Sequence, residues 1–327
     1  MCASRVREDR LNESRVLVTG GAGFVGSNLV ARLLDLGCRV TVLDDLSTGK
    51  RHLLPSHPNL TLVEGDVRNY DLLKNLIADT EIIFHEAARN IIVSSARPRE
   101  DQEVNVGGTM NVLVAARDSS ADALVYASSA SIYGNARGLL LAEEEPPMPL
   151  SVYAAGKLAA EQYCSAFYEV YGLPVTMLRY FNVYGPNQSP ENPYAGVVSK
   201  FFNHTLSGKP PEIHGNGQQT RDFTYVSDAV EATVLAATAD GSKGELFNVG
   251  TGVETSIVRL AHEIIDLSGM NGKLQPIYIP RRDIDNVRRR CANIEKIRRK
   301  LRWEPTVELS HGLRLTLDWI KGSLQPA

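Results

Sequence analysis

A chain of 327 residues, 43% of them apolar, has enough hydrophobic content for the core of one large or two modest domains. Its 35 basic and 38 acidic residues are interspersed and leave a net charge of −3, which excludes the electrostatic footprint of a nucleic-acid or anionic-membrane binder. No apolar run reaches membrane-span length, Met1 to Ser14 lack the apolar stretch of a signal peptide, and Cys2, Cys38, Cys164 and Cys291 show no C-x-x-C spacing. These features predict a soluble cytoplasmic protein with free thiols and no metal site.

The first element is a strand, Val16-Leu17-Val18-Thr19, ending in Gly20, Gly23 and Gly26 at G-x-x-G-x-x-G spacing. Leu29, Val30, Leu33 and Leu34 then recur at helical intervals. Strand, glycine turn and helix in that order are what a dinucleotide-binding unit requires. Gly20 permits the tight turn, Gly23 lets the backbone approach a pyrophosphate, and Gly26 lets the helix pack on the strand. Phe24 and Val25 open the helix, whose N-terminal amides and partial positive charge suit phosphate. A second strand, Arg39–Asp44, ends in an acid at the distance where a carboxylate accepts both ribose hydroxyls of NAD and repels the extra phosphate of NADP.

Strands are predicted again at Leu60–Glu64, Glu81–His85, Ala123–Ser128 and Val175–Arg179, with helices at Asp71–Ala78, Val104–Ala116 and Tyr153–Tyr171 between them. Such alternation implies an α/β fold with a doubly wound parallel sheet, and ligands outside the carboxyl ends of its strands. Asn187–Pro193 reads as a loop. Beyond it, helices are expected at Val197–Leu206, Ser227–Thr238, Ser256–Leu267, Ile294–Leu301 and Leu309–Lys321, with strand character at Pro211–Gly217 and Glu245–Val249. The expected organisation is an extension at 1–14, a dinucleotide-binding Rossmann domain at 15–186, and a smaller mixed α/β substrate lobe at 187–327. Some segments of that lobe should return to the sheet.

Ser128-Ser129-Ala130-Ser131 ends the fifth strand, and Tyr153-Ala154-Ala155-Gly156-Lys157 follows. Positions four apart share a helix face, so the Tyr153 phenol and Lys157 ammonium can address one ligand. The cation favours the phenolate and equips Tyr153 as a general base that removes a hydroxyl proton while hydride passes to nicotinamide. A Ser129 hydroxyl could hold the same oxygen.

With these residues in place, the sequence resembles the extended short-chain dehydrogenase/reductase family, in its nucleotide-sugar epimerase branch. The resemblance spans nearly the whole chain. It rests on the glycine turn, Leu43–Gly49, Gly65-Asp66-Val67, Phe84–Ala88, Ser128–Gly134, Tyr153–Lys157, Arg179–Pro186 and Arg221–Val226. It implies that Gly20, Gly23, Phe24, Val25 and Gly26 hold the pyrophosphate, Asp44 and Asp45 the adenosine ribose, and Asp66 with Val67 the adenine. Ala87 and Ala88 would line the cofactor channel, with Tyr153 and Lys157 at its reactive end. Ser129, Tyr153 and Lys157 would be the catalytic triad. Ser129, Ser131, Tyr153, Asn182, Val197, Val198, His214, Arg221 and Arg290 would meet a UDP-sugar. The long helices imply a homodimer, with Met110, Val114, Tyr163 and Phe167 facing outward or lying in the core.

Family members share a first step, oxidation at C4 of the sugar. Dehydratases of this kind carry Asp-Glu where this chain has Ala130-Ser131, and decarboxylases place Glu at the position of Ser131. Without those groups the expected outcome is return of hydride to the other face, a 4-epimerase that uses NAD without consuming it. Arg290 stands where such epimerases place Tyr, Cys or Ser. A guanidinium there suits the carboxylate of UDP-glucuronate; the alternative is that Arg288-Arg289-Arg290 is a solvated basic run, and Arg281–Asn286 departs from the family pattern. The competing readings are a UDP-glucuronate decarboxylase, a 4-keto-sugar reductase, which Asp44 disfavours, and a non-catalytic dinucleotide sensor.

Overall fold

The computed structural model describes residues 11–136, 138–188, 196–281 and 286–323. Cys2, most of the 1–14 extension, residues 189–193 of the expected loop and residues 282–285 lie outside them. Strand β1 (Arg15–Thr19) turns at Gly20, where φ is +71°, into helix α1 (Phe24–Asp35). β2 (Arg39–Asp44), β3 (Leu60–Glu64), helix α2 (Tyr70–Ile77) and β4 (Ile82–His85) follow. After helix α3 (Ile91–Ala96) come α4 (Pro98–Asp101), a π-helical stretch Gln102–Gly108, and α5 (Thr109–Arg117). β5 (Ala123–Ser129), α6 (Val152–Tyr171) and β6 (Val175–Tyr180) complete the first half.

The later elements are α7 (Val197–Leu206), β7 (Glu212–His214), β8 (Thr220–Arg221), α8 (Val226–Thr238), β9 (Leu246–Val249) and β10 (Thr255–Ser256). Helix α9 (Ile257–Leu267), β11 (Ile277–Ile279), α10 (Glu295–Leu301) and α11 (Leu309–Ser323) end the chain.

Seven strands form one sheet in the order β3-β2-β1-β4-β5-β6-β9, every pair parallel. The order reverses between β1 and β4, and the crevice above that switch is where a doubly wound sheet takes its ligand. Period-two alternation feeds two cores. Val16 and Val18 pack with Leu29, Leu33, Ala229 and Val230 on the α1–α8 face. Leu17 packs with Ile83, Leu124, Leu113, Ala160 and Cys164 on the α5–α6 face. Leu11, expected in the extension, is fully buried in the first of these cores.

β9 and α8 come from the second half of the chain: β9 pairs with β6, and α8 lies against α1. The remainder has its own core, with Phe201, Phe202, Ile213, Phe223, Leu260, Ile264 and Leu313. Two small ribbons, β7 with β11 and β8 with β10, cover it.

One local difference from the expected helix at Val104–Ala116 matters for the site. Gln102–Gly108 is wound as a π-helix. Gly107 and Gly108 hold helical geometry weakly, and a Cβ on Gly108 would meet Val67 Cγ2 at 2.5 Å. The wider turn sets Asn105 under the loop after β4, where its amide accepts from Arg89 N at 2.7 Å and donates to Arg89 O at 3.1 Å. Such π turns mark functional sites in many helices.

Candidate active site

Every residue assigned to the cofactor by sequence lines one cavity above the β1–β4 switch, with the glycine turn and Asp66 among them and Tyr153 and Lys157 on its wall. Gly20 sits against the loop after β4, and a Cβ there would meet Ala87 N at 2.6 Å. A Cβ on Gly26 would overlap Gly20 O. Gly23 caps α1 without any side-chain bond, and the first turn holds no acid, so no side chain competes for the helix N-terminal amides.

Asp44 is buried and accepts from Ala22 N and Leu46 N, each at 2.9 Å. Burial raises its pKa, and these two amides oppose the rise. A carboxylate has about four acceptor sites, so ribose hydroxyls can still be taken. The Asp66 carboxylate accepts from Arg68 through Nε at 3.1 Å and Nη2 at 2.7 Å. The residues present fit a dinucleotide: bare backbone and helix amides for the pyrophosphate, with carboxylates at the end of β2 and in the Gly65–Val67 turn after β3 for the adenosine.

At the other end, Ser151 accepts from Ala154 N at 3.1 Å and starts α6, which puts Tyr153 in its first turn. The helix N-terminus adds its partial positive charge to that of Lys157, one turn on. Lys157 is 2% exposed; its Nζ donates to Ala127 O at 2.8 Å and stands 4.9 Å from the Tyr126 ring centre. Burial lowers its pKa to about 8, while the nearby Glu86 and Asp101 carboxyls support its charge. A Cβ on Gly156 would overlap Asp101 Oδ2, so a larger residue there would push the Asp101 carboxyl aside.

The two serines ending β5 divide. Ser128 Oγ donates to Glu161 Oε2 at 2.8 Å and belongs to a buried network in which Glu161 pairs with Arg179. Ser129 Oγ accepts from Ser131 N at 3.2 Å and from Ser131 Oγ at 3.0 Å. Those two donations leave the Ser129 hydroxyl hydrogen available to donate, but of the two serines it is Ser128, not Ser129, that lines the cavity.

The residues given to the sugar nucleotide are more dispersed. Asn182, at φ +24°, donates from Nδ2 to Asp222 O at 3.1 Å. Arg221 does not use its neighbour Asp222 as counter-ion; its Nη1 donates to Thr220 O and Val287 O. Asp222 faces inward and accepts from Thr251, Gly252 and Ala292. Arg290 is 5% exposed and its carbonyl accepts from Asp222 N at 3.1 Å, so the Asp222 backbone joins the stretches that carry Asn182 and Arg290. Burial at this position rules out a solvated run for Arg290. Val197 packs against the lobe core and Val198 is within it, while His214 Nδ1 lies 3.0 Å from Pro280 O on the β7–β11 ribbon.

Among the cavity-wall residues that sequence reasoning did not assign to the site, Glu86, Arg89 and Tyr180 carry polar side chains joined in networks. Glu86 and Tyr180 lie inside motifs already singled out. Arg89 joins loops distant in sequence, donating to Glu100 Oε1 (2.6 Å), Ser47 Oγ (2.9 Å) and Asp45 Oδ2 (2.7 Å). Tyr180 hydroxyl lies 2.9 Å from Glu86 Oε1 and 2.7 Å from Thr233 Oγ1. Burial raises the Glu86 pKa to about 7.

Comparison with known proteins agrees with this geometry. Residues 16–250 match the family model described as the NAD dependent epimerase/dehydratase family. A UDP-glucose 4-epimerase of Mycolicibacterium smegmatis is 39% identical over 318 residues, covering 95% of this chain and 100% of that protein. The crystal structure of a UDP-glucose 4-epimerase with UDP-glucose from Thermotoga maritima superposes with a TM-score of 0.90 at 34% identity, covering 95% of this chain and 100% of that one. A UDP-glucuronic acid 4-epimerase from Bacillus cereus, solved with UDP-glucuronic acid and NAD, gives 0.86 at 30% identity over 94% of this chain and 99% of that one. The chain therefore belongs to the NAD-dependent epimerase/dehydratase family of extended short-chain dehydrogenases/reductases.

Proposed function

We propose that the protein is a UDP-sugar 4-epimerase. The observation that carries this reading is the meeting, in one cavity, of the glycine cradle with Tyr153 and Lys157 one helical turn apart. Tyr153 takes the proton of the C4 hydroxyl, Lys157 and the α6 N-terminus hold its phenolate, and the Ser129 hydroxyl donates to the same sugar oxygen. NAD, when bound, supplies the acceptor for the C4 hydride and gives it back. Tyr153 then returns the proton, and the 4-keto sugar has turned to present its other face. Ala130 and Ser131 provide no additional acid–base pair, which favours epimerisation over elimination or decarboxylation.

Asn182 and Arg221 grip the diphosphate, with Val197, Val198 and His214 near the base and Ser131 near the sugar; the functional division of the chain falls after Pro186. A uronate substrate is the second reading. It is favoured by the burial of Arg290, since a buried guanidinium is a strong carboxylate ligand. A second copy of the chain would dock on the α6 face that exposes Tyr163, Val170 and Tyr171. Met110 and Val114 pack against the sheet core and Phe167 lies within it. The buried free thiols Cys38, Cys164 and Cys291 suit a reducing cytoplasm.

The test is incubation with UDP-glucose, UDP-N-acetylglucosamine, UDP-glucuronate and UDP-xylose in turn, following anomeric NMR signals and release of CO2. A 4-epimer from one of them supports the proposal. CO2 from UDP-glucuronate assigns a decarboxylase instead. Retained NAD with no turnover of any sugar assigns a sensor.

A further inference from the structure

Three oxygen–oxygen contacts run in series from the cavity wall into α8. Glu86 Oε1 meets the Tyr180 hydroxyl at 2.9 Å, that hydroxyl meets Thr233 Oγ1 at 2.7 Å, and Thr233 Oγ1 meets Ala229 O at 2.7 Å. Each contact needs one hydrogen. A backbone carbonyl only accepts, so Thr233 gives its hydrogen to Ala229. Tyr180 must then give its own to Thr233, and the hydrogen between Glu86 and Tyr180 has to come from Glu86. An ionised Glu86 leaves two hydrogens for three contacts, and Thr233 is fully buried, with no water to make up the loss.

We propose that Glu86 stands in the site as a neutral carboxylic acid, the first donor of a one-way chain through Tyr180 and Thr233, and that its neutrality leaves the charge of Lys157 uncancelled beside Tyr153. Glu86 is thus a positioning residue that acts through Lys157. The groups facing it are Lys157 on α6, Tyr180 on β6 and, on the shared wall, Tyr153. Asp101 also faces Lys157, and its carboxylate is itself bound by Asn105 Nδ2 at 2.6 Å. A carboxylate at Glu86 would be a second counter-ion for Lys157 and would draw its field away from the phenol. Burial raises the Glu86 pKa to about 7, which favours the neutral acid independently of the hydrogen count. The second half of this proposal rests on Tyr153 being the base; the first half does not.

The test uses full-length protein without cofactor, with glutamate carboxyl carbons labelled for NMR and Glu86 assigned through Glu86→Gln. Glu86 should titrate near neutrality, against about 4.3 for an ordinary glutamate. Titration in the ordinary range overturns the proposal. Tyr180→Phe gives an independent sign and serves if Glu86→Gln does not fold. Removing the acceptor of a neutral acid lowers the Glu86 midpoint, whereas removing a donor to a carboxylate raises it, and a rise overturns the proposal. Tyrosinate absorbance, referenced to Tyr153→Phe, reads the second half. Between about pH 7 and 8, where wild-type Glu86 is ionised and Lys157 is still charged, Glu86→Gln should hold more Tyr153 phenolate than wild type, by up to roughly tenfold, the effect of one unit charge ~10 Å away at an effective permittivity of ~20. Equal phenolate in the two proteins overturns the link to Lys157.

Discussion

The dinucleotide end and the sugar-nucleotide end of this molecule are built on different principles. The cradle takes its parts from the carboxyl ends of adjacent parallel strands, and each part sits within a few residues of the strand that positions it. The sugar end hangs on Asp222, which ties together Asn182, Thr251, Gly252, Arg290 and Ala292 from three other stretches of chain. On the proposed assignment, cofactor binding is a property of the sheet, while substrate choice is a property of loops held in register around Asp222.

The difference is breakable at either end. Tyr153→Phe should have the largest effect, a loss of about 10²–10⁴ in turnover with NAD retained through a column, read by anomeric NMR and by absorbance. Gly26→Ala should strike the cradle alone. Its Cβ overlaps Gly20 O inside a packed turn, which costs about 1–3 kcal/mol of stability by thermal denaturation, together with the retained NAD. Asp222→Ala is the converse: it leaves the Thr251, Gly252 and Ala292 donors without their acceptor in a buried place and should cost about 1–3 kcal/mol. Affinity for UDP-sugar falls, while NAD stays bound.

The pH profile sharpens the same contrast. Burial has moved the Lys157 pKa down to about 8 from its usual 10.5, so the ammonium that supports the Tyr153 phenolate is present below that value and lost above it. Turnover should fall as pH rises through about 8. UDP-sugar affinity, set by arginines that stay charged, should not follow it. Arg290→Ser is the mildest change. It should weaken UDP-glucuronate turnover more than that of neutral sugars; unchanged selectivity would reject the carboxylate role of Arg290.

Legibility in the sequence follows the same line. The cradle could be read because each glycine answers a local backbone demand, and because a strand ending in an acid, Arg39–Asp44, is a local pattern too. Three features escaped for physical reasons. The π turn at Gln102–Gly108 has the same apolar spacing as an α-helix at this length, and only the Gly107-Gly108 pair hints at it. Arg89 reads as a loop residue until folding brings Asp45, Ser47 and Glu100 around it. Glu86 and Tyr180 lie inside recognised motifs, but their contact joins strands β4 and β6, which no spacing along the chain encodes. The backbone pairing of Arg290 with Asp222 likewise joins residues far apart in sequence.

The most direct test of C4 chemistry in this site uses UDP-glucose, UDP-N-acetylglucosamine and UDP-glucuronate, each deuterated at C4, with wild type and Tyr153→Phe. The expected result is a 4-epimer of one sugar that keeps its deuterium at C4, formed by wild type and nearly absent with the variant. A product that has lost the label to water, or a Tyr153→Phe protein as fast as wild type, would contradict transient oxidation at C4 with Tyr153 as the base.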